Sequence, residues 1–373
     1  MANLIQNPQD ILLDVQHLNV VYESAGGEVY AANDVSVTLH RSEILGLAGE
    51  SGSGKSTLAY AITRLLRPPA RITGGRLLYY PRARVGEAEM TSPARGRSAG
   101  EGVDILQLSP KELRAFRWNE LAIVFQSAMN ALNPVISIEK QIVDVLRVHR
   151  PTMTKEQRHE RAEELFRLVG IAPERLKSYP HELSGGMRQR AVIAIALALT
   201  PEIIIMDEPT TALDVVVQRD ILSELMRLRK ELGFAVIFIT HDLSLLLEIA
   251  DEVAIMYAGR MVERASRKAL YRRPLHPYTD GLLHSFPTLD GPLTRMSGIP
   301  GTPPDLRAVP NGCVFNPRCS RAHERCIQQR PQLINPVGVA DARERLVACH
   351  LYPGEQFGLA APNVALGGQG GEV

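Results

Sequence analysis

Cysteine is nearly absent from this chain of 373 residues: there are four, and the 312 residues before Cys313 contain none. Net charge is nearly absent too. A formal charge of +1 gives no electrostatic case for nucleic acid or for an anionic membrane surface as partner. Long apolar runs are missing: the longest is the nine-residue "AVIAIALAL" at 191–199, where a membrane-spanning helix needs about 20 residues. The chain is therefore expected to span nothing alone. "MANLIQNPQD" lacks the basic start and apolar stretch of a signal peptide, so a cytoplasmic location is expected. No internal repeat is found. What is present suits a packed soluble core, with 45% hydrophobic and 22% charged residues. The length allows one large domain with appendages or two modest domains. Four cysteines in a large cytoplasmic chain point to metal or redox chemistry before structural disulfides.

Apolar alternation in "ILLDVQHLNVVYES" and "DVSVTLHRSEILGLAG" predicts several strands with short turns. The Gly/Ser loop "GESGSGKST" follows, and then a helical pattern, "LAYAITRLL". Residues 81–103 are rich in Arg, Gly, Pro and Ser and read as a surface insertion or mobile loop. The stretch 109–200 reads as mainly helical. Within it, "TKEQRHERAEELFRLVG" is amphipathic and Gly170 is its stop. "EIIIMDEP" and "FAVIFIT" suit buried parallel strands, with the helical "VQRDILSELMRLRKELG" between them. That order implies a parallel α/β sheet. From about residue 270 the composition shifts to Pro, Gly and Arg, and "GIPGTPPDL" cannot be regular helix or strand. The tail 353–373 is expected to be disordered.

The strongest local signal is Gly49, four residues, Gly54, Lys55, Ser56, between a strand and a helix. This is the P-loop pattern. Its glycines let successive backbone N–H groups of Gly49, Ser51, Gly52, Ser53 and Gly54 face a phosphate chain, and the helix at Ser56 and Thr57 adds favourable dipole. Lys55 would reach the β- and γ-phosphates, and the Ser56 hydroxyl would ligate Mg²⁺. "IIIMDEP" supplies acids at the end of a buried strand, where ligands sit in α/β folds. Asp207 is placed to hold Mg²⁺, usually through water, and Glu208 to polarise an attacking water.

A P-loop alone leaves kinases, GTPases, helicases and transporters open. "ELSGGMRQR" at 182–190 narrows it. From "LNVVY" through the P-loop, "IVFQ", "LSGGMRQR", "IIIMDEP" and "TALD" to "ITHD", the chain closely resembles the ATP-binding cassette (ABC) family over residues 11–265. The resemblance implies an α/β fold: an ABC-type P-loop nucleotide-binding domain with a RecA-like core, an antiparallel β subdomain and a helical subdomain at about 109–190. It also implies roles. Tyr22 would stack on adenine. Gln126 would touch Mg²⁺ and the lytic water. His241 would contact the γ-phosphate. Ser184, Gly185 and Gly186 would present helix N–H groups to the ATP of a second cassette, and Asp214 would lie at the same dimer interface. Two cassettes would close head to tail over two ATP molecules and reopen on hydrolysis.

Soluble ABC proteins of DNA repair typically carry a long coiled-coil insertion, and those of translation two cassettes in one chain. This sequence sustains no heptads and has one cassette. "SAMNALNPVISIEKQI" resembles the peptide-importer stretch that lines a groove for a coupling helix of the membrane subunit, with Phe125, Met129 and Leu132 as groove candidates or as helical-subdomain core. "RRPLHPYTDGLL", "GIPGTPPDL", "GCVFNPRC" and "VACH" resemble the C-terminal extension of oligopeptide/dipeptide importer ATPases, at 266–352. That resemblance implies ATP hydrolysis coupled to solute import. The partners would be a second, different ATPase subunit, two membrane permeases and, indirectly, an extracellular solute-binding protein. The place would be the cytoplasmic face of the membrane, peripherally. Members import peptides, and some carry nickel or oligosaccharides. A soluble ABC ATPase acting as a redox-sensing regulator is the alternative. Two departures stand out: residues 81–103 are longer than the family pattern, and "VERASRKAL" lacks the glycine usual after the final cassette strands.

Cys313, Cys319, Cys326 and Cys349 are spaced C-x5-C-x6-C-x22-C. A structural Zn²⁺ site usually shows pairs two to four residues apart, and these gaps are wider. A [4Fe–4S] cluster takes four thiolates, and resembled family members with these cysteines carry one. Iron–sulfur cluster, Zn²⁺ and unligated thiols all remain open at this point, with His323 and His350 as alternate ligands. A loop-rich, proline-rich extension builds little core of its own, and a metal would stabilise it. It is expected to dock on its own or the partner cassette.

Overall fold

A computed structural model describes residues 10–81, 101–126, 131–211, 213–285, 298–339 and 345–356. Two sheets carry the fold. The first is antiparallel and four-stranded, in the order β2-β1-β4-β5. It comprises β1 (Ile11–Ser24), β2 (Gly27–His40), β4 (Ala70–Tyr79) and β5 (Val103–Asp104). Between them in sequence lie β3 (Ile44–Ala48) and helix α1 (Lys55–Ile62). Tyr79 pairs with Val103, so the chain leaves and re-enters the sheet side by side around residues 82–100, which lie outside the described residues.

α2 (Pro110–Phe116) then leads to β6 (Leu121–Val124). α3 (Ile138–His149), α4 (Lys155–Leu168) and α5 (Gly185–Ala196) follow, before β7 (Ile203–Asp207), α6 (Val215–Leu232), β8 (Ala235–Ile239) and α7 (Leu243–Ile249). β9 (Glu252–Tyr257) and β10 (Arg260–Ser266) complete the cassette strands. The central part of the second sheet runs β9-β3-β8-β7-β6, all parallel. Its strands are almost entirely apolar because both faces are covered, with Asp207 at the end of β7 and Glu252 at the start of β9 as the acids. Ile204, Met206, Val236 and Phe238 enter one core, with the helices α3 to α7. Ile203, Ile205, Ala235, Ile237 and Ile239 enter the other, with α1 and the antiparallel sheet. This is the period of two expected of a strand, read on two buried faces.

β6 corrects the reading of 109–200 as mainly helical. "LAIV" is a four-residue apolar run, too short for periodicity to separate strand from helix. It pairs in parallel with β7, Leu121 opposite Ile203, so the α3–α5 block is an excursion between two neighbouring strands. Within that block the local signals hold. Thr154 and Gln157 form a capping box at α4, and Gly170 ends it at φ 68°.

Beyond β10 come α8 (Arg267–Arg272), α9 (Pro277–His284), α10 (Glu324–Gln328), β11 (Ile334–Pro336), β12 (Leu346–Val347) and β13 (Gly354–Gln356). At "VERASRKAL" β10 runs directly into α8, whose cap is the Ser266 hydroxyl accepting from Ala269 N–H. β12 pairs with β10 and carries β11 and β13 outward, extending the main sheet to nine strands among the described residues. The extension also has more core than its composition suggests. Tyr278, Leu282, Val314 and Phe315 join the helical-side core, and Tyr257, Tyr278 and Phe315 form an aromatic cluster with ring centroids 4.5–5.4 Å apart. It therefore docks on its own cassette. No helix among the described residues is long and apolar enough to cross a membrane.

Candidate functional site

The loop 49–54 connects β3 to α1 at the carboxyl edge of the parallel sheet. Gly49 and Gly54 adopt φ 145° and 101°, and a Cβ at either would stand 2.2 Å from Met256 O or 2.1 Å from Ala31 O. Only glycine fits both demands. Lys55 is buried, and its Nζ donates to Gly49 O (2.7 Å), Glu50 O (2.9 Å) and Ser53 Oγ (3.3 Å). Burial lowers the Lys55 pKa, opposed by the charges of Glu208, Asp207 and Glu50. Ser51 and Gly52 are exposed at the loop tip. Tyr22, near the end of β1, has its hydroxyl 3.3 Å from Thr57 Oγ1.

β7, next to β8 and β6, delivers the acids. Ser56 Oγ donates to Asp207 Oδ1 at 3.0 Å. Asp207 is fully buried, and its Oδ2 has no hydrogen-bond partner among the described residues. Burial raises its pKa first of all, and the Ser56 bond opposes the shift. A buried, unsatisfied carboxylate oxygen beside a serine hydroxyl fits a divalent cation with oxygen ligands. Glu208 sits at φ 47°, an uncommon backbone for a non-glycine residue, held by its N–H on Ile239 O. Three segments meet at its carboxylate. Gln126 Nε2, just past β6, donates to Oε2 at 3.0 Å, Thr211 Oγ1 donates to Oε2 at 3.1 Å, and His241 Nδ1, just past β8, lies 3.4 Å from Oε1. Thr211 was missed as a contributor although it stands in the quoted "TALD"; its hydroxyl is the signal.

The remaining candidates stand elsewhere. Ser184 caps α5, its Oγ accepting from Met187 N–H, with Gly185 and Gly186 in the first turn. Among the described residues, no hydrogen bond joins these three to the P-loop. Asp214 caps α6, accepting from Val216 and Val217 N–H at 3.1 and 3.0 Å. Leu132 is not a groove residue: it is 5% exposed, inside the helical-side core. Phe125 is half-buried against Tyr60, with centroids 5.9 Å apart. Met129 lies outside the described residues.

The four cysteines are free thiols; Cys313 and Cys326 are buried, Cys319 and Cys349 half-buried. Cys313 N–H donates to Cys326 O at 2.8 Å. Every pair of the four thiols is close enough for one to raise the proton affinity of another. Burial is the larger cause and pushes Cys313 and Cys349 up to about 11. Among the described residues, no group of three or more His, Cys, Asp or Glu side chains is arranged to hold a metal ion. His323 is exposed, and His350 Nε2 lies 2.8 Å from Gln329 O.

Comparisons with known proteins place these features in a family. Residues 32–211 match the ABC transporter model, and residues 262–326 match the model of the oligopeptide/dipeptide transporter C-terminal region. The dipeptide transport ATP-binding protein DppD of Caldanaerobacter subterraneus subsp. tengcongensis is 39% identical over 92% of this chain and 97% of its own length. The oligopeptide transport ATP-binding protein OppD of Salmonella typhimurium is 40% identical over 88% of this chain and 92% of its own. Among solved structures, a dimeric post-hydrolysis state of the ATP-binding cassette MJ0796, bound to ADP and Pi, is 26% identical, with a TM-score of 0.56 over 69% of this chain and 99% of that one. The cassette motifs, the edge of the sheet on which several of them meet and the C-terminal region thus agree: the chain belongs to the oligopeptide/dipeptide transporter family of ABC ATP-binding proteins.

Proposed function

We propose that this chain is the ATP-hydrolysing subunit that powers peptide import through a membrane ABC importer. The observation that carries the chemistry is the meeting of Gln126, Thr211 and His241 on Glu208, beside the Ser56–Asp207 pair. The names of the relatives, tied to dipeptide and oligopeptide transport, support the solute class and favour an importer over a soluble redox-sensing regulator.

ATP would lie with its phosphates over the N–H groups of residues 49–57 and its adenine against Tyr22. Lys55 would exchange its carbonyl partners for phosphate oxygens, which offer it a stronger, charge-assisted bond. Ser56, Asp207 and Gln126 would hold Mg²⁺, which supplies charge neutralisation on the phosphates when bound. Glu208, oriented by its donors, would draw a proton from the attacking water, and His241 would steady the γ-phosphate. Ser184, Gly185 and Gly186 would complete the site of a second cassette, with Asp214 at the same interface. That second cassette, two permeases and an extracellular solute-binding protein are the proposed partners, at the cytoplasmic face of the membrane. The proposed division is 11–265 for the cassette and 266–352 for the extension.

For the cysteines we propose a [4Fe–4S] cluster held by Cys313, Cys319, Cys326 and Cys349. The support is chemical: the four cysteines are free thiols carried by one loop-rich region, and such a cluster takes four thiolates. When bound, it would cross-link segments 313–326 and 349 and add stability. Anaerobically purified protein should show broad visible absorption and about four irons per chain. Colourless protein with stoichiometric zinc would refute the cluster.

Glu208→Gln tests the ATPase reading. The kcat should fall about a hundredfold to ten-thousandfold with ATP binding retained, and turnover within about threefold of wild type would remove Glu208 as the base.

A further inference from the structure

One acidic residue sits inside the phosphate-binding loop itself. Glu50 follows Gly49, and a carboxylate there opposes the approach of a polyphosphate by like-charge repulsion. It is not left alone. Arg318, carried by the turn between Cys313 and Cys319, reaches it from 268 positions away in sequence. The pair is bidentate: Nη1 donates to Glu50 Oε2 at 2.7 Å and Nη2 to Oε1 at 3.0 Å.

The guanidinium is held with unusual completeness. Nη1 also donates to Tyr257 Oη (3.2 Å), Nη2 to Ile299 O (3.3 Å) and Nε to Pro300 O (2.8 Å). All five N–H donors of the side chain are therefore used. Its side chain is 5% exposed, and Cζ lies 5.7 Å from the Tyr257 ring centroid and 6.0 Å from that of Phe315. A second contact fixes the same residue from its backbone: Glu50 N–H donates to Tyr278 Oη at 2.8 Å. Tyr257 and Tyr278 pack in tilted and edge-on contacts with each other and with Phe315, so the loop is gripped at side chain and main chain by one packed aromatic cluster.

We propose that Arg318 is a positioning residue for the nucleotide site: it neutralises Glu50 and, with Tyr278, sets the shape of the phosphate-binding loop, so that ATP affinity depends on the C-terminal extension. Two facts separate this from simple docking. The extension already has an independent anchor, the pairing of β12 with β10 and the buried Glu263–Arg345 ion pair. Arg318 instead addresses the one carboxylate of the P-loop, with the fork geometry that lysine cannot supply. The proposal rests on the reading that this loop binds ATP.

The experiment measures ATP binding by titration calorimetry with Mg²⁺ on the full chain in a Glu208→Gln background, and KM and kcat on the chain with native Glu208. Arg318→Met should weaken ATP binding about tenfold or more by leaving Glu50 unpaired. Arg318→Lys should fall between Arg318→Met and the parent. Adding Glu50→Gln to Arg318→Met should restore affinity to within about threefold of the parent, because the charge that needed neutralising is gone. KM should rise while kcat stays within about threefold. Unchanged affinity in Arg318→Met overturns the proposal. So does a double variant no better than Arg318→Met, the signature of a mere packing or folding defect. A parent chain that binds no ATP would overturn the nucleotide-site reading, and the proposal with it.

Discussion

Replacing Arg345 by Met should loosen the extension more than any single loss of apolar area there. Glu263 lies on β10 with a side chain fully out of solvent, and Arg345 precedes β12 with its side chain 2% exposed. Arg345 Nη2 donates to Glu263 Oε1 at 3.1 Å and also to Arg273 O, while its Nε has no partner among the described residues. The carboxylate further accepts from the N–H groups of Leu275 and His276, each at 2.9 Å. Burial pushes the Glu263 pKa up, and the two amides and Arg345 pull against it. Met keeps the volume and apolar contacts of the arginine stem but leaves a buried carboxylate without its cation. Losing one partner of such a pair costs about 3–5 kcal/mol. Glu263→Gln with Arg345→Met removes the stranded charge and keeps an acceptor for an amide, so the double variant should return to within about 1–2 kcal/mol of wild type. The sign with pH follows. A carboxyl whose folded pKa is raised gives stability below its unfolded pKa and loses it as pH rises through the folded value. The Arg345→Met deficit should therefore be larger at about pH 8 than at about pH 5. Urea unfolding gives the free energies, and limited proteolysis reports release of the extension. Arg345→Met within about 1 kcal/mol of wild type, or a double variant as unstable as the single, would refute the reasoning.

Two further outcomes are expected. His276 is buried, and its Nδ1 accepts from Tyr278 N–H; burial lowers its pKa to about 3. The unfolded chain takes up this proton near pH 6.5, so the stability is present above that pH and falls by about 1.4 kcal/mol per unit on acidification towards 3. His276→Asn keeps a side-chain acceptor for the amide and does not titrate, so its unfolding free energy should change less between about pH 7 and pH 5.5; an unchanged slope would clear His276. Asp214→Ala should cost about 1 kcal/mol by uncapping α6, and Asp214→Asn should recover most of it in urea unfolding. Equal loss in both variants would mean that the charge, not the cap, is what α6 needs.

The sequence made the parallel strands legible where apolar runs were bounded by polar residues, as in β7 and β8. It did not separate β6 from the surrounding helical pattern, because four residues carry no usable period and only pairing with β7 decides the matter. The extension was misjudged for a similar reason. Its aliphatics are few, but Tyr278, Phe315 and Val314 find their core in the cassette, and local composition cannot register a core supplied by another segment. Leu132 illustrates the converse: the resemblance made it a groove candidate, and the fold uses it as packing.

The site divides along the same line. The P-loop is legible because its work is done by backbone N–H groups, and glycine positions dictate backbone conformation locally. Asp207 and Glu208 are legible as acids at the end of a buried apolar strand. Gln126 and His241 are legible only through the family resemblance; the fold brings them to Glu208 because adjacent parallel strands bring their carboxyl ends together. Glu50 belongs to neither class. Its position in the P-loop is visible in the sequence, yet its charge makes physical sense only once a cation is found for it. That cation comes from the cysteine-bearing loop, which no cassette motif announces. An acidic residue in a phosphate-binding loop should therefore be read as a demand for a distant partner. In this chain the demand is met by Arg318, so the phosphate site and the extension are a single electrostatic unit rather than a motor with an appendage.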